Sequence, residues 1–542
     1  MDVLAKQILS VFSPDEHTEI KKQIGQIDAP LFSFLSSQQA LHEVVLIGSC
    51  REIQKAMETF GSSTCSTGYW VFEITEEPET EEPTNLYSMY SSSEYIGVRF
   101  QRNKLVWEDI SRLLKKWKQT SEFSGSYLDG IDLIYVDIHP HEGIEENRIN
   151  QSLQESHYEG VVVFDDIWHF KSMRDTFWFH IPEKNKRDLT RVGHYSGTGL
   201  VFYNENKILN QWKWLPEPDD TIQNWTLVTA YFDLTKCPDA SDEIRARDKN
   251  YYLHHGAATM AAPYPLVVFC DKENYAQIES MRPNHLKEKT EYILCEFDQL
   301  RLADNLTIRE ARPRIQENRR KIPYHFDPRN TASYYLFCMS RYVMMKKAIQ
   351  SNTFRSSHFT WINFCMERIG YPNLIHLNEA LSKNRDPFST CYIDYIPESL
   401  VRNTAEYFQW GRCGMCSGFF TGKAEYMEET CSAILQEFLA LLVEGYGHAD
   451  EQLFSRVYFN HPTLFQHYYG DYNQMITNYA RVYENPESIL RNFIRNSFRS
   501  GEHVKCKEAC DILWESWKNG HVEMDESSLK DLCYYLVMLQ MN

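Results

Sequence analysis

Short apolar runs of strand length recur through the first part of the chain. Residues 44–48, 69–74, 131–137 and 160–166 form such runs, and residues 107–117 place apolar side chains at helical spacing. A continuous apolar run is typical of a strand that is buried on both faces. Helical segments between such strands indicate a doubly wound α/β sheet.

A second α/β series follows a segment rich in proline and acidic residues at 216–224. Strands are predicted at 226–232, 266–270, 291–296, 359–364 and 391–395, and the chain from 487 onward has helical periodicity. The pattern therefore predicts two doubly wound α/β domains. The predicted organisation is an N-terminal helical extension (1–40), a first domain (41–215), a linker (216–224), a second domain (225–485) and a helical C-terminal segment (486–542).

Charge and composition narrow the class of protein. Lys and Arg number 56 against 75 Asp and Glu, a net charge of −19, which disfavours binding to nucleic acid or anionic membranes. No segment reaches the roughly 18 apolar residues of a membrane span, and the first residues lack an apolar signal core. We therefore expect a cytoplasmic protein with reduced thiols, in which Cys413 and Cys416 form a buried pair. No oligomeric state is predicted.

Three acids stand where predicted strands end. Asp137 ends IDLIYVD, and Asp165 and Asp166 follow GVVVF. Ligands of open parallel sheets bind beyond the carboxyl ends of the strands, and a cluster of carboxylates suits Mg²⁺ or a similar cation. The alternative is that Asp165 or Asp166 caps the next helix and Asp137 only ends its strand.

With these acids, residues 41–205 resemble class I S-adenosylmethionine-dependent methyltransferases, especially the metal-dependent enzymes that methylate sugars. The resemblance implies a metal site at Asp137, Asp165 and Asp166. It also implies that His139 is the base, and that Gly48 and Glu73 contact S-adenosylmethionine. The glycine-rich turn of that family is reduced to Gly48 in LIGSCREIQ.

Further motifs mark the second half of the chain. WTLVTAYFD ends at Asp233, PLVVFCD ends at Asp271, and HFTWIN ends at Asn363. Later come GRCGMCSGFFTGK and GHADEQLF, the second of which contains Asp450 and Glu451. Acids in the last motif could serve as a base or a metal ligand, or could only interact with a helix dipole.

Taken in order, these motifs resemble the HtrL/YibB family, which is grouped with glycosyltransferases of the GT-A type. The resemblance implies a GT-A-like fold that binds a nucleotide sugar near Asp233, Asp271 and Asn363, and a glycan acceptor near Asp450 and Glu451. The donor diphosphate needs a divalent cation, Mg²⁺ or Mn²⁺, or else basic groups. The basic candidates are Arg341, Lys346 and Lys423.

The two resemblances together predict a bifunctional enzyme that transfers a sugar and O-methylates a sugar hydroxyl. The alternative is a non-catalytic binding or structural protein built from degenerate enzyme domains. Asn363, at a position where the family has an acid, and the shortened glycine turn favour that alternative.

Overall fold

The structure is a computed structural model of the 542-residue chain. It describes residues 3–11, 13–24, 26, 29–38, 44–49, 69–74, 87–91, 95–100, 107–118, 128, 130–138, 141–204, 224–247, 249–322, 327–368, 374–383, 385–409, 414–470, 472–480, 486–519, 522 and 524–541. The chain divides into two compact units, Met1–Pro218 and Asp219–Asn542, called the N-terminal and C-terminal units below.

The N-terminal unit contains an eight-stranded sheet in the order β3-β4-β2-β1-β5-β6-β8-β7. Its strands are β1 (Val44–Ser49), β2 (Tyr69–Ile74), β3 (Tyr87–Ser91), β4 (Tyr95–Phe100), β5 (Leu133–Asp137), β6 (Val161–Phe164), β7 (Lys186–Asp188) and β8 (Gly199–Phe202). Strands β4, β2, β1, β5 and β6 are parallel, whereas β3 and β8 are antiparallel to their neighbours β4 and β6. The winding reverses between β1 and β5, where ligands of such sheets collect.

The described residues of this unit also form six helices. They are α1 (Val3–Leu9), α2 (His17–Gln23), α3 (Ala29–Gln38), α4 (Trp107–Lys118), α5 (Ile144–Glu155) and α6 (Lys171–Thr176). Helix α3 shares the core of the sheet, because Phe32 packs edge-on against Tyr135 of β5 with ring centroids 4.9 Å apart. All side chains of β5 and β6 are buried, which explains their uninterrupted apolar sequence.

The C-terminal unit contains a seven-stranded mixed sheet in the order β11-β10-β9-β14-β16-β15-β17, and the hairpin β12-β13. Its strands are β9 (Trp225–Tyr231), β10 (Leu266–Cys270), β11 (Thr290–Leu294), β12 (Arg301–Ala303), β13 (Leu306–Thr307), β14 (His358–Ile362), β15 (Phe388–Tyr392), β16 (Met415–Lys423) and β17 (Phe465–Tyr469). Strands β11, β10, β9 and β14 are parallel, and β16 is antiparallel to β14 and β15.

Fifteen helices of the described residues surround this sheet. They are α7 (Asp242–Arg245), α8 (Lys249–His254), α9 (Ala257–Ala261), α10 (Lys272–Met281), α11 (Ile308–Lys321), α12 (Ala332–Ser351), α13 (Leu374–Ser382), α14 (Glu398–Arg402), α15 (Thr404–Gln409), α16 (Ala424–Glu444), α17 (Asp450–Asn460), α18 (Met475–Ala480), α19 (Pro486–Arg499), α20 (His503–Lys518) and α21 (Glu526–Met541).

One apolar core joins these helices to the sheet. Tyr342 of α12 stacks on Phe420 of β16 with ring centroids 5.7 Å apart. The three final helices belong to the same core, since Phe493 of α19 packs against Tyr392 of β15 at 5.1 Å. Burial of these aromatic rings supplies a large part of the favourable free energy of folding.

The structure confirms the predicted α/β class, with helices packed around mixed sheets in both units. Only Asn224 of the predicted linker 216–224 is described, so the linker stays a prediction. None of the helices in the described residues is long and apolar enough to cross a membrane. Cys416 is buried and free, whereas its predicted partner Cys413 lies outside the described residues.

Candidate functional site

Five polar side chains converge at the carboxyl ends of β5 and β6 in the N-terminal unit. Asp137 ends β5, and Asp165 and Asp166 follow β6, its parallel neighbour. His141 Nε2 lies 3.5 Å from Asp137 Oδ1 and 3.1 Å from Asp166 Oδ2. His194 Nδ1 lies 3.8 Å from Asp165 Oδ1 and 3.7 Å from Asp166 Oδ1. We call these five residues the aspartate–histidine cluster.

Asp166 is the residue that both parts of the cluster share. Asp166 has a φ of 58°, a left-handed conformation that non-glycine residues adopt rarely. Burial acts to raise the pKa of the Asp166 carboxyl, but hydrogen bonds with His194 and Ser196 and the charge of His141 lower it overall. A carboxylate that is kept ionised beside two imidazoles is a suitable ligand for a divalent cation.

The donor types in the cluster fit a cation other than Mg²⁺. The potential ligand atoms of Asp137, His141 and Asp166 lie within 4.8 Å of one another, as do those of Asp165, Asp166 and His194. Mg²⁺ prefers oxygen ligands alone, whereas imidazole nitrogen suits Zn²⁺, Fe²⁺ and related transition metals. The predicted acids therefore come together, and the structure adds two histidines to them.

Of the other residues predicted for this half, Gly48 lies beside the cluster, whereas the side chains of Glu73 and His139 are outside the described residues. Gly48 pairs with Asp137 across β1 and β5, and a Cβ at this position would lie 2.5 Å from the Asp137 carbonyl oxygen. Glycine is therefore needed for the close approach of these strands. Glu73 lies in β2, but its side chain is outside the described residues, as is the whole of His139.

In the C-terminal unit, a cavity of about 650 Å³ opens at the carboxyl ends of β9 and β14. We call it the strand-end cavity. Its lining includes Tyr231 at the end of β9, Asn363 after β14, and Asp450 and Glu451 at the start of α17. A cavity of this size and position is typical of a small-molecule site in an α/β protein.

Of the acids predicted at the donor site, neither Asp233 nor Asp271 is among the lining residues of this cavity. Asp233 Oδ1 accepts hydrogen bonds from the backbone N and the hydroxyl of Thr235, at 3.2 and 2.5 Å. Asp271 caps α10 by accepting a 2.9 Å hydrogen bond from the backbone N of Asn274. Both carboxylates act locally as helix caps, although burial and their charges raise the pKa of the Tyr231 hydroxyl.

Asn363 does line the cavity, and its side chain is anchored. Its Oδ1 accepts a hydrogen bond from Trp361 Nε1 at 3.2 Å, and its backbone N donates to the Gly418 carbonyl at 3.0 Å. The amide thus presents a fixed, uncharged group at the end of β14.

Asp450 and Glu451 differ in their surroundings, although they are adjacent in sequence. Asp450 Oδ2 lies 3.3 Å from Arg341 Nη1 and also accepts a hydrogen bond from the Ser417 hydroxyl. Arg341 is 3% exposed and Asp450 is 7% exposed, so this is a buried ion pair. Glu451 is half-buried, and its Oε1 lies 3.8 Å from Cys416 Sγ.

Four arginines also line the cavity: Arg247, Arg329, Arg341 and Arg368. Of the basic residues predicted from sequence, only Arg341 is among them. Lys346 donates to the Ser432 hydroxyl, and Lys423 pairs with Glu425. Arg247 and Arg368 are far apart in sequence and carry no local signal beyond their charge, so the pattern of residues could not identify them.

His448 lies two residues before Asp450, and its protonation makes the stability of the C-terminal unit depend on pH. Burial lowers the pKa of its imidazole to about 4, and the ring contacts the Ile322 carbonyl through Nε2 at 3.4 Å. The unfolded chain, with an ordinary pKa near 6.5, binds this proton first as the pH falls. Stability from this residue is therefore complete above about pH 6.5 and is lost as the pH falls toward 4.

We expect the C-terminal unit to lose about 2–3 kcal/mol of unfolding free energy through His448 between pH 7 and pH 4.5. His448→Phe should remove this part of the pH dependence because phenylalanine does not titrate, and the new ring can keep the stacking on Phe408. Hydrogen exchange at pH 7 and at pH 4.5 measures the free energy of unfolding of the C-terminal unit in each variant. The control is His461→Phe, at an exposed histidine of the same unit, which should retain the wild-type dependence. An unchanged pH dependence in His448→Phe would contradict the assignment.

Comparison with known proteins gives a family match and structural similarities, two of which follow. No curated protein matches the chain in sequence. The crystal structure of mouse xyloside xylosyltransferase 1 in its apo form is 12% identical, with 45% of this chain and 84% of that chain covered and a TM-score of 0.27. The crystal structure of core-mannan synthase A from Aspergillus fumigatus, in an Mn/GDP form, is 11% identical, with 45% and 72% covered and a TM-score of 0.27.

The family match concerns the C-terminal unit. Residues 223–481 match the family described as a bacterial protein of unknown function, HtrL_YibB. The resemblance predicted for this half of the chain is therefore confirmed, while the resemblance of residues 41–205 to methyltransferases stays a prediction.

Proposed function

We propose that the C-terminal unit transfers a sugar from a nucleotide sugar to a hydroxyl group of a glycan acceptor. The observation that carries the proposal is the strand-end cavity, which combines aromatic rings, guanidinium groups and the half-buried carboxylate of Glu451. Aromatic faces stack on bases and sugar rings, and cations bind phosphates. The predicted relation of the HtrL/YibB family to GT-A glycosyltransferases supports the same function.

In this reaction the acceptor oxygen bonds to the anomeric carbon of the donor sugar, and the bond from that carbon to the diphosphate oxygen breaks. The nucleoside diphosphate leaves with the bonding electrons. Glu451 accepts the proton of the acceptor hydroxyl as general base, since Asp450 is already neutralised by Arg341. Asn363 lies at the end of β14, where it would face the donor.

The test is binding of nucleotide sugars to the full chain. UDP-sugars and GDP-sugars at millimolar concentration are expected to raise the melting temperature for at least one donor, in competition with the matching nucleoside diphosphate. Release of nucleoside diphosphate in the presence of an acceptor would then report transfer. If no UDP-sugar or GDP-sugar binds, the sugar-transfer proposal fails and the non-catalytic alternative is favoured.

A second candidate function belongs to the N-terminal unit. The aspartate–histidine cluster lies at the carboxyl ends of β5 and β6, beside the point where the winding of the sheet reverses. This placement favours the predicted methyl transfer from S-adenosylmethionine to a sugar hydroxyl, in which a bound cation would lower the pKa of that hydroxyl. Calorimetry with S-adenosylmethionine tests this candidate function. If no heat of binding is observed, the N-terminal unit is not a methyltransferase.

The cation site has its own prediction. We expect Mn²⁺ and Zn²⁺ to bind the full chain more tightly than Mg²⁺, because the cluster contains His141 and His194. Asp166→Asn should weaken binding of both by at least about tenfold, and asparagine tolerates the left-handed backbone at this position. His180→Ala, at an exposed histidine of the same unit, is the control. Calorimetry decides, and tighter Mg²⁺ binding would show that the histidines are not ligands.

A further inference from the structure

Two of the cavity arginines share one aromatic platform. The guanidinium carbons of Arg247 and Arg368 lie 5.6 and 5.8 Å from the ring centroid of Tyr251 in α8. Both side chains are half-buried and both line the strand-end cavity. Stacking on an aromatic face fixes the plane of a guanidinium, so its paired N–H groups are held in one orientation.

The same two arginines also act on the next tyrosine. Burial raises the pKa of the Tyr252 hydroxyl, and the positive charges of Arg247 and Arg368 oppose that rise. Tyr252 is itself a lining residue of the cavity. Both positive charges are therefore directed at one region of the cavity wall.

The charges of the other two arginines are already matched. Arg341 forms the buried pair with Asp450, and Arg329 Nε lies 2.8 and 2.9 Å from the two carboxylate oxygens of Asp327. Hydrogen bonds from Arg329 lower the pKa of Asp327 to about 2. Among the residues that the structure describes, no carboxylate lies within 4.0 Å of the guanidinium of Arg247 or Arg368, although the charge of Arg247 acts on Asp327 at longer range.

Arg247 and Arg368 bring two positive charges to the lining of one cavity without a close carboxylate, and an anion bound in the cavity offsets their charge. A diphosphate offers several negatively charged oxygens that match the paired N–H groups of arginine. The residue that follows β14 and lines the cavity is the uncharged Asn363 rather than an acid. The cavity is lined by four arginines and by three acids, Asp327, Asp450 and Glu451, so its lining carries one net positive charge before any cation binds.

We propose that Arg247 and Arg368 bind the diphosphate of the nucleotide-sugar donor and stabilise the leaving nucleoside diphosphate without a divalent cation. This assignment rests on the proposed sugar transfer and resolves the choice between a cation and basic groups that the sequence left open. When the bond to the anomeric carbon breaks, negative charge develops on the β-phosphate oxygen, and the two guanidiniums receive it as charge-assisted hydrogen bonds.

The test measures binding of UDP and GDP to the full chain by calorimetry, in EDTA and in MnCl₂. For the nucleotide that binds, we expect affinities in the two conditions within about threefold, less than one charge-assisted contact would give. Arg247→Gln and Arg368→Gln should each weaken binding by about tenfold to hundredfold in EDTA. Binding of the matching nucleoside, which lacks phosphate, should change little in either variant.

Arg245→Gln is the matched control, because Arg245 is close in sequence, exposed, and outside the cavity lining. It should bind the nucleotide as the wild type does. Asn363→Asp supplies a second variant, in which the added negative charge should weaken binding in EDTA and make it dependent on Mn²⁺.

The outcomes separate the two proposals. Binding that requires Mn²⁺ and is unaffected by Arg247→Gln and Arg368→Gln would overturn the arginine assignment and leave sugar transfer standing. Absence of binding by any nucleoside diphosphate or nucleotide sugar in both conditions would overturn sugar transfer and the assignment with it.

Discussion

Replacing Glu451 with Gln is expected to lower the rate of sugar transfer by about 10²- to 10⁴-fold, the usual contribution of a general base. Glu451 lines the strand-end cavity at the first turn of α17, and its neighbour Asp450 is held by Arg341. Glutamine has nearly the same shape and can still accept a hydrogen bond, but it cannot take up the acceptor proton. The measurement is turnover at saturating donor and acceptor.

Two further readouts make this result specific to catalysis. Affinity for the nucleoside diphosphate and the melting temperature should stay close to the wild-type values, because the donor contacts and the fold are unchanged. Glu444→Gln, at an exposed glutamate at the end of α16, is the control and should keep full activity. Full activity in Glu451→Gln would show that another group removes the proton.

The sequence predicted the strands well because their burial is continuous. In β5 and β6 each residue is enclosed on both faces, so the apolar run reads directly as a strand, and the acid that follows marks its end. Asp137, Asp165 and Asp166 were found in this way. The same signal did not reveal His141 and His194, because both lie outside the strands and come close to the acids only in the folded chain.

The C-terminal unit shows why an acid at a strand end is an ambiguous signal. Asp233 and Asp271 follow β9 and β10 in the expected pattern, yet each side chain turns back to cap the next helical turn. The sequence pattern predicts that such an acid follows a strand. Whether its carboxylate faces a ligand site or accepts hydrogen bonds from nearby backbone N–H groups depends on the local structure. Arg247 and Arg368 show the reverse case. Neither belongs to a recognisable motif, yet the fold brings both side chains to the ring of Tyr251.

The buried pair of Arg341 and Asp450 gives the largest expected effect on stability. Asp450→Asn should lower the free energy of unfolding of the C-terminal unit by about 3–5 kcal/mol, because it leaves the Arg341 guanidinium buried without a counter-charge. The hydroxyl of Ser417 and the rings of Phe337 and Trp361 remain around the guanidinium, but none of them carries a negative charge. Hydrogen exchange or denaturant unfolding of the full chain measures the loss.

A pair of the same length on the surface provides the control. Arg491 Nη2 and Asp531 Oδ2 are also 3.3 Å apart, but their side chains are 40% and 63% exposed. Asp531→Asn should therefore cost less than about 1 kcal/mol, since water solvates the remaining guanidinium. Removing both charges of the buried pair, as in Arg341→Met with Asp450→Asn, should restore much of the stability lost in Asp450→Asn alone. If Asp450→Asn and Asp531→Asn cost the same, Arg341 is reached by water, and Asp450 would again be a candidate for the base beside Glu451.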